Sequence, residues 1–252
     1  MNQQLYVQIF YQFFESLPRQ GPGDDRYTKL LFNLLPNCPD NPKIADMGCG
    51  TGAQTLILAK EGGIVTGIDL HQPFLSILAE NAKKLGLDDR ISTLKCSMDK
   101  LPQQTGLFDI IWSEGAVYQI GFENGLKSWF PLLKPGGYIV VSEICWLVDE
   151  PPKELREHPA PEIPDMQTVE KNIARVKKLG YRWIGSFLLP HEAWDIFDAY
   201  QSELIREWRQ KKTDPAVEQV LSDIEKENDL FKRHRGTYGD VFFLMQKPDK
   251  TL

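Results

Sequence analysis

Two carboxylates and three alternate glycines are the residues of this 252-residue chain whose types and spacing could act together: Asp46, Gly48, Gly50 and Gly52, then Asp69. Glycine at every second position lets the main chain take positive φ and leaves no Cβ between the backbone and a flat ligand. Ala53 to Lys60, just after the turn, are good helix formers. The free N–H groups of a helix start would therefore face whatever lies in the turn, and a carboxylate or phosphate would suit them. Asp46, in front of the turn, would attract a cation.

A strand, a glycine turn and an acid at the next strand end serve two ligand classes, nicotinamide dinucleotides and S-adenosylmethionine. Both carry a ribose whose hydroxyls Asp69 could bind. The dinucleotide fingerprint is G-x-G-x-x-G, whereas here the third glycine comes one residue early and an acid precedes the first. That acid would repel a pyrophosphate and attract an ammonium and a sulfonium, which favours S-adenosylmethionine. Two plainer readings stay open: Asp46 as an acid capping the glycine turn, and Asp69 as a helix cap for residues from 72 onward.

The elements that must position these groups alternate. Ile44 to Met47 reads as a first strand, Ile64 to Asp69 as a second, Ile91 to Cys96 as a third, Phe108 to Ser113 as a fourth and Tyr138 to Glu143 as a fifth. Helices are expected over His71 to Leu85 and over about Glu123 to Leu133, the second closed by Lys134-Pro135-Gly136-Gly137. Near-continuous apolar strands joined by helices imply a parallel sheet covered on both faces. Before this unit, residues 1–17 form an aromatic-rich helix, Pro18 to Gly23 break it, and a second helix runs from Tyr27 to Leu35. After it come a proline-rich loop over residues 149–164, a helix over Met166 to Leu179 and a strand over Tyr181 to Leu189. Two charged helices, His191 to Lys211 and Pro215 to Arg233, precede a last strand, Asp240 to Met245.

The net charge of −6 argues against a general nucleic-acid or membrane-surface binder. The scattered Cys38, Cys49, Cys96 and Cys145 and the unpaired pattern of His71, His158, His191 and His234 predict free thiols and no metal site. No run reaches the roughly 18 apolar residues of a membrane span, and the N-terminus lacks a basic region, so a cytoplasmic location is expected.

Ile44-Ala45-Asp46-Met47-Gly48-Cys49-Gly50-Thr51-Gly52, Gly67-Ile68-Asp69, Leu101-Pro102, Phe108-Asp109-Ile110-Ile111 and Leu133-Lys134-Pro135-Gly136-Gly137-Tyr138 stand in one order over about residues 40–145. This series resembles the class I S-adenosylmethionine-dependent methyltransferases, in particular the small-molecule branch of ubiquinone and menaquinone methyltransferases. The resemblance implies a Rossmann-like α/β fold: a seven-stranded, mostly parallel sheet of order 3-2-1-4-5-7-6 with strand 7 antiparallel and helices on both faces. N-terminal helices and a helical insertion between strands 6 and 7 would be added to it. Residues 1–252 then form one methyltransferase domain, with 1–40 as a helical lid, 41–145 as the cofactor core and 146–252 as a substrate-side loop, helices and edge hairpin.

Carried over by position, the resemblance places Asp46 and Gly48 at the ammonium of the methionine moiety. Cys49, Gly50 and Gly52 would belong to the turn, Asp69 would hold the ribose and Leu70 the adenine face. Ser97 and Met98 would line the adenine edge, with Asp99 close by, and Ser113 and Glu114 would border the methyl group. Tyr11, Arg19 and Gly21 would act from the lid. Tyr118, Trp146, Trp194 and Tyr200 are candidate substrate-wall aromatics, although Trp112 and Tyr118 also suit a core. Glu114, Tyr118 and His158 are candidate general bases for a nucleophile that must lose a proton. The expected reaction is methyl transfer by in-line displacement to a small, partly apolar acceptor. An NAD-dependent oxidoreductase and a non-catalytic S-adenosylmethionine-binding module are the alternatives, and the aromatic N-terminal helix and the charged insertion are candidate dimer faces.

Overall fold

A computed structural model describes residues 2–102, 106–157, 166–211 and 214–249. Seven strands form one sheet: β1 (Lys43–Met47), β2 (Ile64–Asp69), β3 (Ile91–Lys95), β4 (Phe108–Ser113), β5 (Leu133–Trp146), β6 (Arg182–Leu188) and β7 (Tyr238–Gln246). Their order is β3-β2-β1-β4-β5-β7-β6, and only β7 runs against its neighbours. The apolar runs explain the positions. β1 and β4 are buried nearly throughout and lie at the centre, whereas β3 and β6 keep exposed residues and lie at the edges.

Two apolar layers cover the sheet. On one face Phe122, Leu126 and Trp129 of α5 (Phe122–Trp129) and Val176 of α7 (Val169–Lys178) pack on Ile111, Ile139 and Val141. On the other, Leu31 and Phe32 of α2 (Asp25–Asn33) and Leu58 of α3 (Ala53–Lys60) pack on Ile110, Trp112, Val140 and Phe242. A third cluster joins α1 (Gln3–Glu15) to α8 (His191–Lys211) and α9 (Pro215–Arg233) through Ile9, Phe13, Ile205, Trp208 and Val220. The N-terminal helix and the late insertion thus form one cap, with the Phe13 and Trp208 rings edge-on at 5.4 Å.

β1 and β4 are neighbours, and the chain leaves β1 toward β2 on one side and β4 toward β5 on the other. Such a reversal of strand order opens a crevice at the C-terminal strand ends, where the glycine turn lies. Three local expectations need correction. The helix before β5 stops at Trp129 and tightens into a 3₁₀ turn over Phe130–Leu132, because Pro131 has no N–H to continue it. Lys134 to Gly137 are not a closing turn but the start of β5, bulged against β4 between Phe108 and Ile110. Within the proline-rich segment a single helical turn, α6, spans Lys153–Glu157.

Candidate active site

The glycine turn is held from below by the strand beside it. Gly48 N and Cys49 N both donate to Ile68 O, at 2.8 and 3.0 Å, and Gly52 N donates to Cys49 O at 2.9 Å. All three glycines have positive φ. A Cβ on Gly48 would lie 2.3 Å from Ala116 Cβ, one on Gly50 2.4 Å from Gln20 Oε1, and one on Gly52 2.2 Å from Leu78 Cδ1. This is a cradle whose shape depends on missing side chains.

Asp69 closes the cradle on the β2 side. Its two oxygens accept from Gly50 N at 3.0 Å and from His71 N at 2.8 Å, so it braces the turn and the residue that precedes α4 (Gln72–Lys84), whose own start has no side-chain cap. Leu70 beside it is largely exposed and free to meet a flat ring. Asp46 sits differently. It is fully buried, with Gln54 Nε2 donating to Oδ1 at 3.2 Å and Thr55 Oγ1 donating to Oδ2. Its carboxylate is thus turned to α3 and presents no open face.

Burial raises the Asp46 carboxyl to about 7, against the hydrogen bonds from Thr55 and Gln54 that favour its charge. The sign follows. A carboxyl held above its unfolded value of 3.8 binds more protons folded than unfolded, so its stabilising share is complete below that value and is lost as pH rises through about 7. Asp46→Asn should therefore flatten the fall of melting temperature between pH 5 and 8, by on the order of 1–3 kcal/mol of pH-dependent stability. Equal slopes for variant and parent in a thermal-melt pH series would refute this.

The N-terminal segment closes over the turn. Gln20, which the sequence reading passed over, accepts from Thr51 N at 2.8 Å and from Thr51 Oγ1 at 3.0 Å. Its amide donates to Phe14 O and Leu17 O, which ties the end of α1 to the cradle. Tyr11 stacks on His71 at 4.2 Å, and His71 is hydrogen-bonded to Glu15 at 2.6 Å. Burial first, then Asp69, raises the Tyr11 hydroxyl, so that ring stands near the acid at the end of β2. Gly21 borders open space.

Glu114 is a tie rather than an open base. Its oxygens accept from Thr28 Oγ1 and Trp112 Nε1, both at 2.8 Å, and from Arg19 Nη2 at 3.3 Å. Arg19 is itself buried, so these contacts tie the loop after α1, and α2, to the end of β4. Ser113 does not open to the crevice: it is buried, and its hydroxyl donates to Met47 O at 2.9 Å. Ser97 Oγ hydrogen-bonds Asp99, while Met98 is fixed by Trp129 Nε1 donating to its carbonyl at 2.8 Å. The Cys49 side chain is buried against Leu75 and Leu78, and its thiol is pushed well up by burial and by Asp46.

The proposed aromatic wall is not assembled as such. Trp194 stacks on Phe231 at 3.7 Å, Phe231 meets Tyr238 edge-on, and Tyr238 meets Trp146 edge-on, which makes a packing ladder from α8 through α9 and β7 to β5. Tyr200 is exposed on α8. Tyr118 is half-buried in a 3₁₀ turn over Val117–Gln119, beyond the end of β4. His158 lies outside the described residues. Cys38, Cys49, Cys96 and Cys145 are free thiols. Among the described residues, no group of three or more His, Cys, Asp or Glu is placed to hold a metal, and no helix is long and apolar enough to cross a membrane.

Residues 44–137 match a family model described as a methyltransferase domain. Phosphoethanolamine N-methyltransferase 1 of Arabidopsis thaliana is 26% identical over 225 residues, 88% of this chain and 42% of that protein. The human mitochondrial ubiquinone biosynthesis O-methyltransferase is 30% identical over 138 residues, 50% of this chain and 37% of the relative. The chain thus spans about two fifths of the length of these curated relatives. Among solved structures, an S-adenosylmethionine-dependent methyltransferase of Geobacter sulfurreducens superposes with a TM-score of 0.81 at 20% identity, over 94% of this chain and 97% of that one. Over residues 44–137 the chain is thus similar to methyltransferase domains, and its fold is similar to that of the solved S-adenosylmethionine-dependent methyltransferase.

Proposed function

We propose that the chain transfers the methyl group of S-adenosylmethionine to a small, partly apolar acceptor. The observation that carries this is the cradle itself: three glycines that no side chain can replace without collision, braced by Asp69 and closed by Gln20. The similar proteins support it, one structure being in complex with S-adenosyl-L-homocysteine and the curated relatives being N- and O-methyltransferases.

The residues present fit that ligand. Asp69 would hold the ribose, Leu70 would meet the adenine, and the buried Asp46 would favour the ammonium of the methionine moiety through its field. S-adenosylmethionine supplies an already activated methyl on a sulfonium. What the protein adds is alignment, and holding two reactants in line is worth roughly 7–11 kcal/mol over a dilute encounter. The Tyr11, Gln20 and Arg19 contacts would keep water out while that alignment lasts. In this reading residues 1–40 are the lid, 41–145 the cofactor core and 146–252 the substrate side, working in the cytoplasm on a small molecule.

Calorimetry with S-adenosylhomocysteine and with NADH tests the reading. Micromolar binding of the first and none of the second is expected; the reverse would replace it with an oxidoreductase. Binding without homocysteine release from a panel of phenols, quinol precursors, amines and thiols would replace it with a non-catalytic module.

A further inference from the structure

Gln20 joins two helix ends through one side-chain amide. Phe14, in the last turn of α1, would give its carbonyl to the N–H four residues on, but that residue is Pro18, which has none. Gln20 Nε2 fills the gap, donating to Phe14 O at 3.0 Å and to Leu17 O at 3.3 Å. Its Oε1 accepts from Thr51 N at 2.8 Å and Thr51 Oγ1 at 3.0 Å, just ahead of α3, whose N-cap Gly52 brings no side-chain cap of its own. These partners need a group that donates at one end and accepts at the other. A side-chain amide does this; a carboxylate or an ammonium does not.

The turn that receives this amide is the one that would hold the cofactor. Gly50 N donates to Asp69 Oδ2 and the next amide, Thr51 N, donates to Gln20. Successive N–H groups of one turn are thus fixed by the acid at the end of β2 and by the segment after α1. α1 reaches the same acid by a second route: Tyr11 stacks on His71, Glu15 is hydrogen-bonded to it, and His71 N donates to Asp69 Oδ1. Unseating α1 would free Thr51 and His71, and so loosen the two amides from which Asp69 accepts. On its other side α1 packs Ile9 and Phe13 against α8 and α9.

Resting on the methyltransferase reading, we propose that Gln20 is a positioning residue for the cofactor turn, and that through it S-adenosylmethionine binding and the seating of α1 favour each other. A ligand that holds Gly50 and Thr51 in this arrangement raises the population of seated α1. By linkage, seated α1 raises the affinity for that ligand by the same factor.

Hydrogen exchange and calorimetry on the full chain, with S-adenosylhomocysteine as the probe, test this. In the parent protein, saturating S-adenosylhomocysteine should slow amide exchange across α1 by roughly 5- to 150-fold, the usual size of a coupling between two sites. Gln20→Ala should weaken S-adenosylhomocysteine binding by a factor in that range and leave α1 exchanging alike with and without it. Gln20→Glu keeps an acceptor for Thr51 but cannot donate to Phe14 O and Leu17 O, so α1 should again cease to answer to the ligand. A side chain that only fills space would leave that answer intact. Where Gln20→Ala fails to fold, Thr51→Val, which removes only the hydroxyl that donates to Oε1, carries the test: a smaller loss in both readouts is expected, and none overturns the proposal. Three further results overturn it and leave the methyltransferase reading standing: a parent α1 whose exchange is unchanged by bound S-adenosylhomocysteine, a Gln20→Glu variant whose α1 still answers to it, or a Gln20→Ala variant that binds it more tightly or at most about twofold more weakly, below the range of a coupling. Failure of the parent to bind S-adenosylhomocysteine removes the methyltransferase reading and the proposal with it.

Discussion

Gly48→Ala is expected to unfold the turn and, with it, cofactor binding. Gly48 has φ of +73°, which an alanine adopts only at a cost of roughly 1–3 kcal/mol. The new Cβ would also lie 2.3 Å from Ala116 Cβ, and forcing a methyl into a packed site costs about 1–3 kcal/mol more. Together these are a large part of the roughly 5–15 kcal/mol that keeps a domain folded. A drop in melting temperature of roughly 4–24 °C should follow. Loss of S-adenosylhomocysteine binding in calorimetry should accompany it, since the turn cannot keep its hydrogen bonds to Ile68 O while moving away from Ala116. Gly86→Ala is the control. Gly86 has nearly the same φ, +65°, with nothing within 4 Å of its Cβ position, so it pays the backbone cost alone. Equal losses at the two sites would mean that collision with Ala116 is not what makes Gly48 necessary.

Asp69→Ala is expected to weaken S-adenosylhomocysteine binding by roughly 10²-fold or more. The carboxylate now accepts from Gly50 N and His71 N, and hydrogen bonds to a charged group contribute about 1.5–3 kcal/mol each. Losing them loosens the middle of the cradle and the start of α4 at once. Losing the ribose contact that the proposed function assigns to Asp69 would add a similar amount, and about 3 kcal/mol corresponds to more than a hundredfold in affinity. Thermal melts separate the two contributions. A variant that melts several degrees lower yet binds within threefold of the parent would make Asp69 a brace of the turn only.

The parts of the site that were legible in the sequence are those built within one β-α-β unit. The spacing of Gly48, Gly50 and Gly52 is a local backbone requirement, and Asp69 follows from the end of the next strand, so a short stretch of chain encodes both. α8 and α9 were also legible to their ends, because Pro190, Asp214 and Pro215 punctuate a strong helical pattern. Gln20 was not, since a glutamine in a proline-glycine turn carries no sign of its partner until the chain brings Thr51 to it. Glu114 read as a candidate base because nothing near it in sequence announces Thr28 or Arg19, which arrive from α2 and the lid loop. Trp146 and Trp194 read as pocket aromatics for the same reason; Phe231 and Tyr238, distant in sequence, turn them into packing.

The amino-acid sequence by itself determined the sheet of alternating strands and helices, the glycine cradle and the acid at the end of β2, because periodicity, glycine conformation and strand ends act over a few residues. Only the tertiary structure decided which carboxylates stay available. Asp46 is taken up by Thr55 and Gln54 and Glu114 by three donors, while the Asp240 side chain is buried with no hydrogen-bond partner among the described residues. The physical reason is that the state of a buried charge depends on every group within a few ångströms, and those groups come from elements far apart along the chain.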